Sequence, residues 1–120
     1  GRKTKNTFIP GVLHTVRPVA LRELPVFTEN AREYTVICSE NFGDVLQMEV
    51  GAMLVGKIDN YHQEADVCRG QAKGRFLYGG STIILLLEPG TAAVTEKFFE
   101  ATRAGEETEV KMGEAIGRRG

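Results

Sequence analysis

Fourteen glycines and four prolines divide this chain of 120 residues into short pieces, and that punctuation limits the folds open to it. Glycine weakens a helix interior and proline breaks it, so long helices are disfavoured. Between the breaks the clearest pattern has a period of two. Within Val45–Ile58, the residues Leu46, Met48, Val50, Ala52 and Leu54 share one face of a strand, and Gln47 and Glu49 lie on the other. Gly51 and Gly56 interrupt this stretch, which predicts a bulge or sharp bend and either two strands or one bent strand.

The other pieces agree with a β-rich reading. Val12–Val16 alternates, and Tyr34–Cys38 is rich in β-formers. Asn41–Asp44 and Arg69-Gly70 are turn signals, and Gly74–Tyr78 is a short strand. The continuous apolar run Ser81–Leu87 predicts a fully buried central strand, ended by Glu88-Pro89-Gly90. Val94, Phe98 and Ala101 share helical spacing, so Thr95–Ala104 is expected to form one or two helical turns, stopped by Gly105. Glu109–Met112 is expected to be a last strand, while Arg17–Asn30 and Asp59–Asp66 read as loops. The expected fold is mainly β: a sandwich or partly closed barrel of short strands, barrel-sandwich-hybrid-like, with at most one short helix.

The length suits a single domain, residues 1–120, and 42% apolar residues can supply one modest core. A net charge of −1 gives no reason to expect nucleic acid. The basic ends (Arg2, Lys3, Lys5; Arg118, Arg119) read as solvated tails, and the acidic run from Glu96 to Glu109 as a solvated face. Cys38 and Cys68 sit beside apolar residues as small buried or half-buried thiols, without the spacing of a metal site. The longest apolar run, Ile83–Leu87, is far too short to span a bilayer. The chain opens without Met on the patternless Gly1–Asn6, which is expected of a piece of a longer protein.

The chemistry-bearing motif is Gly79-Gly80-Ser81-Thr82, between a short strand and the apolar run. Around it stand Val50-Gly51-Ala52-Met53-Leu54-Val55-Gly56, Arg69-Gly70-Gln71-Ala72-Lys73-Gly74-Arg75-Phe76 and Val110-Lys111-Met112-Gly113-Glu114-Ala115-Ile116-Gly117. With His14-Thr15-Val16-Arg17-Pro18 and Val26–Asn30, this ordered set resembles the C-terminal part of the phosphatidylserine decarboxylase family over residues 10–117. The Gly70–Gly74 region departs from the family's acidic Gly-Glu-Glu form, a departure that reads as surface drift.

The resemblance implies self-cleavage between Gly80 and Ser81, giving residues 1–80 (the end of a β-chain) and 81–120 (an α-chain) that remain a heterodimer. Ser81 would become a pyruvoyl cofactor, forming a Schiff base with the substrate amine. Phosphatidylserine would be decarboxylated to phosphatidylethanolamine by a protein on the membrane surface, held there through parts outside this chain, on the cytoplasmic side if bacterial. Glycines 79 and 80 suit the step physically, since they allow backbone conformations that a Cβ resists and leave the Gly80 carbonyl open. The resemblance places the activating Asp and His upstream of the matched region, so these residues alone are expected to be inactive. His14, on a predicted strand, is more readily a structural histidine, with a substrate-binding role as the alternative; His62 reads as solvent-facing. Two other readings remain open. One is a relative acting on a soluble amino acid such as tryptophan. The other is a non-catalytic biotinyl- or lipoyl-carrier-like β-domain presenting Lys111 beside Met112.

Overall fold

The computed structural model describes residues 1–11, 30–51, 57–77 and 82–120. The predicted strand Val12–Val16 and most of the loop Arg17–Asn30 lie outside the described residues. Within them the fold is mainly β, with antiparallel pairing throughout and a single short helix. The largest sheet runs β6 (Ala65–Asp66), β1 (Arg2–Lys3), β3 (Arg32–Ser39), β4 (Gly43–Val50), β8 (Thr82–Leu87), with β2 (Thr7–Ile9) also on β3. Its centre is the β3–β4 hairpin, in register from Ser39 opposite Gly43 to Arg32 opposite Val50. The expected strand Tyr34–Cys38 and the turn after it are therefore present. So is the break after Val50: β4 ends there, and the Gly51 N–H donates to the Ala31 carbonyl at 2.7 Å.

A second, two-stranded sheet pairs β5 (Lys57–Asn60) with β7 (Gly74–Leu77). Gly74 lies so close to β5 that a Cβ would run into the Asp59 carbonyl. A third pairs β9 (Ala92–Val94) with β10 (Gly117–Arg119) and encloses the helix α1 (Glu96–Arg103). Acidic Glu96 opens α1 and basic Arg103 closes it, both matching the helix dipole. At its end Gly105 takes φ +73°. The Glu106 N–H reaches the Ala101 carbonyl (2.9 Å) and the Gly105 N–H the Thr102 carbonyl (3.0 Å). These two bonds form a Schellman cap, whose left-handed position only glycine fills without strain.

Several expectations need correction. β8 is not a buried central strand: among the described residues it lies at the end of the large sheet, and Ile83, Leu85, Leu86 and Leu87 are 38–57% exposed. An apolar run shows only that a strand can be buried on both faces, not that a neighbour covers it. Glu109–Met112 is not a strand; the last strand is β10, made by the Gly-Arg-Arg that read as a solvated tail. Asp59–Asp66 holds the end of β5 and all of β6. Cys38 and Cys68 are both exposed. Lys3 is not a tail residue but 1% exposed.

The described core is unusually polar. Val50 is its one fully buried apolar side chain, against Lys3, Asn30, Thr35 and Glu49 as buried polar ones. Glu49 lies on the face of β4 opposite Met48 and Val50, where Lys73, just before β7, meets it.

Candidate functional site

Gly80, Ser81 and His14 all fall outside the described residues. What the structure establishes is the frame on either side of Gly80–Ser81. β7 ends at Leu77 and β8 begins at Thr82, so residues 78–81 connect the two-stranded sheet to the large one. Thr82 is opposite Val50 on β4, and Ile83 is opposite Glu49.

Between these sheets lies a charged network. Glu33 and Glu49 are directly opposed across the β3–β4 ladder, an arrangement of like charges that is unfavourable unless something intervenes. Asn60 at the end of β5 and Lys73 just before β7 intervene. The Lys73 ammonium donates to the Glu49 carboxylate and to Asn60 Oδ1 (2.7 Å), and Asn60 Nδ2 donates to Glu33 Oε2 (2.5 Å). The Lys73 and Glu49 side chains are 14% and 7% exposed, so little water screens the pair. Glu49 Oε2 is buried with no hydrogen-bond partner. Beside the pair a pocket of about 250 Å³ is lined by Gln47, Glu49, Lys73, Arg75, Phe76 and Ile83. At its rim Arg75 Nε donates to Asp59 Oδ2 at 3.0 Å.

A second buried cation lies further along the same face. The Lys3 ammonium donates to Asn6 Oδ1 (2.8 Å) and to the carbonyls of Thr4 (3.2 Å), His62 (2.7 Å) and Gln63. Thr35 Oγ1 also donates to Asn6 Oδ1, at 2.8 Å. Burial lowers the Lys3 pKa, and the positive charge of Lys73 adds to this, while Glu49 and Glu33 oppose it. The His62 side chain is exposed as expected, yet its carbonyl is one wall of this cage.

The sequence reading missed Glu49 and Lys73. It placed Glu49 on the strand face opposite Met48 and Val50 without giving it a partner, and took the Gly70–Gly74 departure as surface drift, whereas Lys73 within that departure is buried on Glu49. The one available signal was Glu49 set between apolar Met48 and Val50, and nothing in the sequence marks Lys73 as its partner. Lys111 lies in a tight exposed turn, where its N–H donates to Glu114 Oε2 at 2.8 Å, and Met112 beside it is fully exposed. Among the described residues no three side chains are grouped to hold a metal ion, and no helix is long and apolar enough to cross a membrane.

A sequence model of the family "Phosphatidylserine decarboxylase" matches residues 1–118. Phosphatidylserine decarboxylase proenzyme 2 of Clostridium acetobutylicum is 49% identical over 109 residues, covering 91% of this chain and 37% of that protein. The phosphatidylserine decarboxylase proenzyme of Clostridium tetani is 41% identical over 118 residues, covering 97% and 40%. That of Clostridium perfringens is 40% identical over 121 residues, covering 99% and 41%. The chain thus spans about two fifths of the length of these curated relatives. No solved structure matches it.

Proposed function

This chain belongs to the phosphatidylserine decarboxylase family, and from that membership we propose that it carries the self-cleaving serine of a pyruvoyl-dependent decarboxylase. The observation that carries the proposal is the Gly79-Gly80-Ser81-Thr82 motif within the family match. Its position between two separately anchored strands supports the reading, because an intramolecular attack gains most where both ends of the reacting segment are fixed.

In the proposed step the Ser81 hydroxyl attacks the Gly80 carbonyl carbon. The new C–O bond replaces the C–N bond, the nitrogen takes up the hydroxyl proton, and an ester results. Loss of the Ser81 α-proton then expels the Gly80 carboxylate and leaves dehydroalanine. Its enamine tautomerises, and water releases ammonia to leave a ketone at residue 81. That pyruvoyl group supplies an electrophile for the substrate amine and a sink for the electron pair left as CO₂ departs. The residues present fit it, because a serine follows two glycines and the strand after it is anchored on β4.

The proposed substrate is phosphatidylserine, the product phosphatidylethanolamine, and the working form a heterodimer of the pieces ending at Gly80 and beginning at Ser81. On the same reading the protein meets its lipid at the membrane surface through parts outside these residues. An upstream Asp and His activate Ser81, and His14 contacts the headgroup; without the upstream pair, residues 1–120 stay unprocessed.

The test is mass spectrometry of the full-length polypeptide carrying this chain, beside its Ser81→Ala variant. A fragment beginning at residue 81 with a blocked, carbonyl-reactive terminus is expected, together with CO₂ release from phosphatidylserine vesicles. Ser81→Ala abolishes both. Normal cleavage in Ser81→Ala overturns the assignment, and turnover of a free amino acid in place of the lipid moves the substrate class.

A further inference from the structure

We propose that the buried Glu49–Lys73 ion pair is a positioning clip for self-cleavage, holding the strands on either side of the Gly80–Ser81 linkage at a fixed span. The inference rests on the reading of Ser81 given above. It goes beyond that reading by giving a role to two residues away from the reacting atoms.

The rate of an attack within one chain depends on how often the reacting atoms come into line. Here the reacting segment is tethered at Leu77 and at Thr82. The Thr82 end is fixed by the β4–β8 ladder, in which Glu49 stands opposite Ile83. The Leu77 end belongs to a strand whose only ladder among the described residues is with β5. Lys73, the residue just before β7, makes the connection by donating to Glu49. The segment from Lys73 to Ile83 therefore closes on one residue, Glu49, which grips its start by the side chain and its end through the ladder. Closing a loop in this way removes conformations in which its middle strays from reactive geometry.

Among the described residues a pocket of about 250 Å³ lies between Glu49, Lys73, Phe76 and Ile83, so there the polar contact, and not apolar side chains, bridges the two sides. Asn60 adds a second strut, accepting from Lys73 and donating to Glu33 on β3. The Lys3 cage supplies the contrast. It is also a buried cation on this face, but it joins the first residues to the 62–63 carbonyls and touches neither β7 nor β8.

The experiment follows self-cleavage in the full-length polypeptide carrying this chain, pulse-labelled and chased at a temperature where protease resistance shows each variant folded. Glu49→Gln and Lys73→Met are expected to slow appearance of the fragment beginning at residue 81 by about tenfold or more. Lys3→Met, which also empties a buried cation site, is expected to slow it by less than about twofold. The charge-swapped pair Glu49→Lys with Lys73→Glu is expected to cleave faster than either single variant. Should Lys73→Met not fold, isosteric Glu49→Gln carries the comparison. Cleavage at the wild-type rate in Glu49→Gln and Lys73→Met, or slowing that merely matches Lys3→Met, overturns the clip. In that outcome the wild type still cleaves and the Ser81 reading stands. A wild type that never cleaves between Gly80 and Ser81 overturns both.

Discussion

Val50 of β4 lies directly across the ladder from Thr82, so the described core's one fully buried apolar side chain is opposite the residue that follows Ser81. Truncating it leaves a cavity at this point of the ladder. Val50→Ala is expected to cost about 2 kcal/mol by urea denaturation. Leu86→Ala, at a position 57% exposed on β8, is expected to cost less than about 0.5 kcal/mol. Equal losses at both positions would mean that β8 is covered in solution, contrary to its described exposure.

Cleavage after Gly80 would leave β8, β9, α1 and β10 on one piece and all the other described strands on the other. Among the described residues the main join between the pieces is then the β4–β8 ladder, in register from Val45 opposite Leu87 to Val50 opposite Thr82. The cleaved halves are expected to co-elute in native gel filtration and to separate in urea. Ile84, opposite Met48, is at the middle of this join. Ile84→Asp places a carboxylate in half-buried apolar surroundings and is expected to weaken association at least about tenfold. Co-elution of Ile84→Asp halves at high dilution would show that another contact holds them.

Thermodynamics at Glu49 and Lys73 can be separated from their effect on cleavage. Removing the cation alone strands a buried carboxylate that already has one unpartnered oxygen, and Lys73→Met is expected to cost about 3 kcal/mol. Replacing both partners with apolar residues removes the desolvation penalty along with the attraction. Glu49→Leu with Lys73→Met is therefore expected to be as stable as the parent, or more so, in urea titrations. A double variant no better than Lys73→Met would show that the pair is a net source of stability.

How far the sequence reveals this fold depends on which physical signal each element carries. β3 and β4 are legible because β-formers and two-residue alternation are local properties, and α1 because Phe98, Ala101 and Gly105 mark its face and end. β1 and β10 are not, since short charged strands such as Arg2–Lys3 and Gly117–Arg119 pair only when a distant partner is present. β8 is recognisable as a strand, but its exposure depends on what packs beside it, and an apolar run carries no such information. The motif at Ser81 is legible through its family resemblance. Glu49 and Lys73 escape because a buried ion pair between residues 24 apart leaves no periodic trace.

Glu114 offers a local pH probe at the far end of the chain. Its carboxylate accepts from the Lys111 N–H at 2.8 Å and from Lys97 Nζ at 3.2 Å, and these bonds, the backbone one first, hold its pKa below the ordinary carboxylate range. A lowered pKa in the folded state means the unfolded chain binds this proton more readily. The contribution to stability is therefore complete above the ordinary carboxylate range and is lost as pH falls through the depressed folded value. The Glu114 carboxyl carbon, followed by NMR, is expected to titrate below the ordinary carboxylate range. Lys97→Ala moves the midpoint part of the way back, and added salt weakens the Lys97 share because the pair is exposed. A midpoint unmoved by Lys97→Ala would leave the backbone N–H as the whole cause.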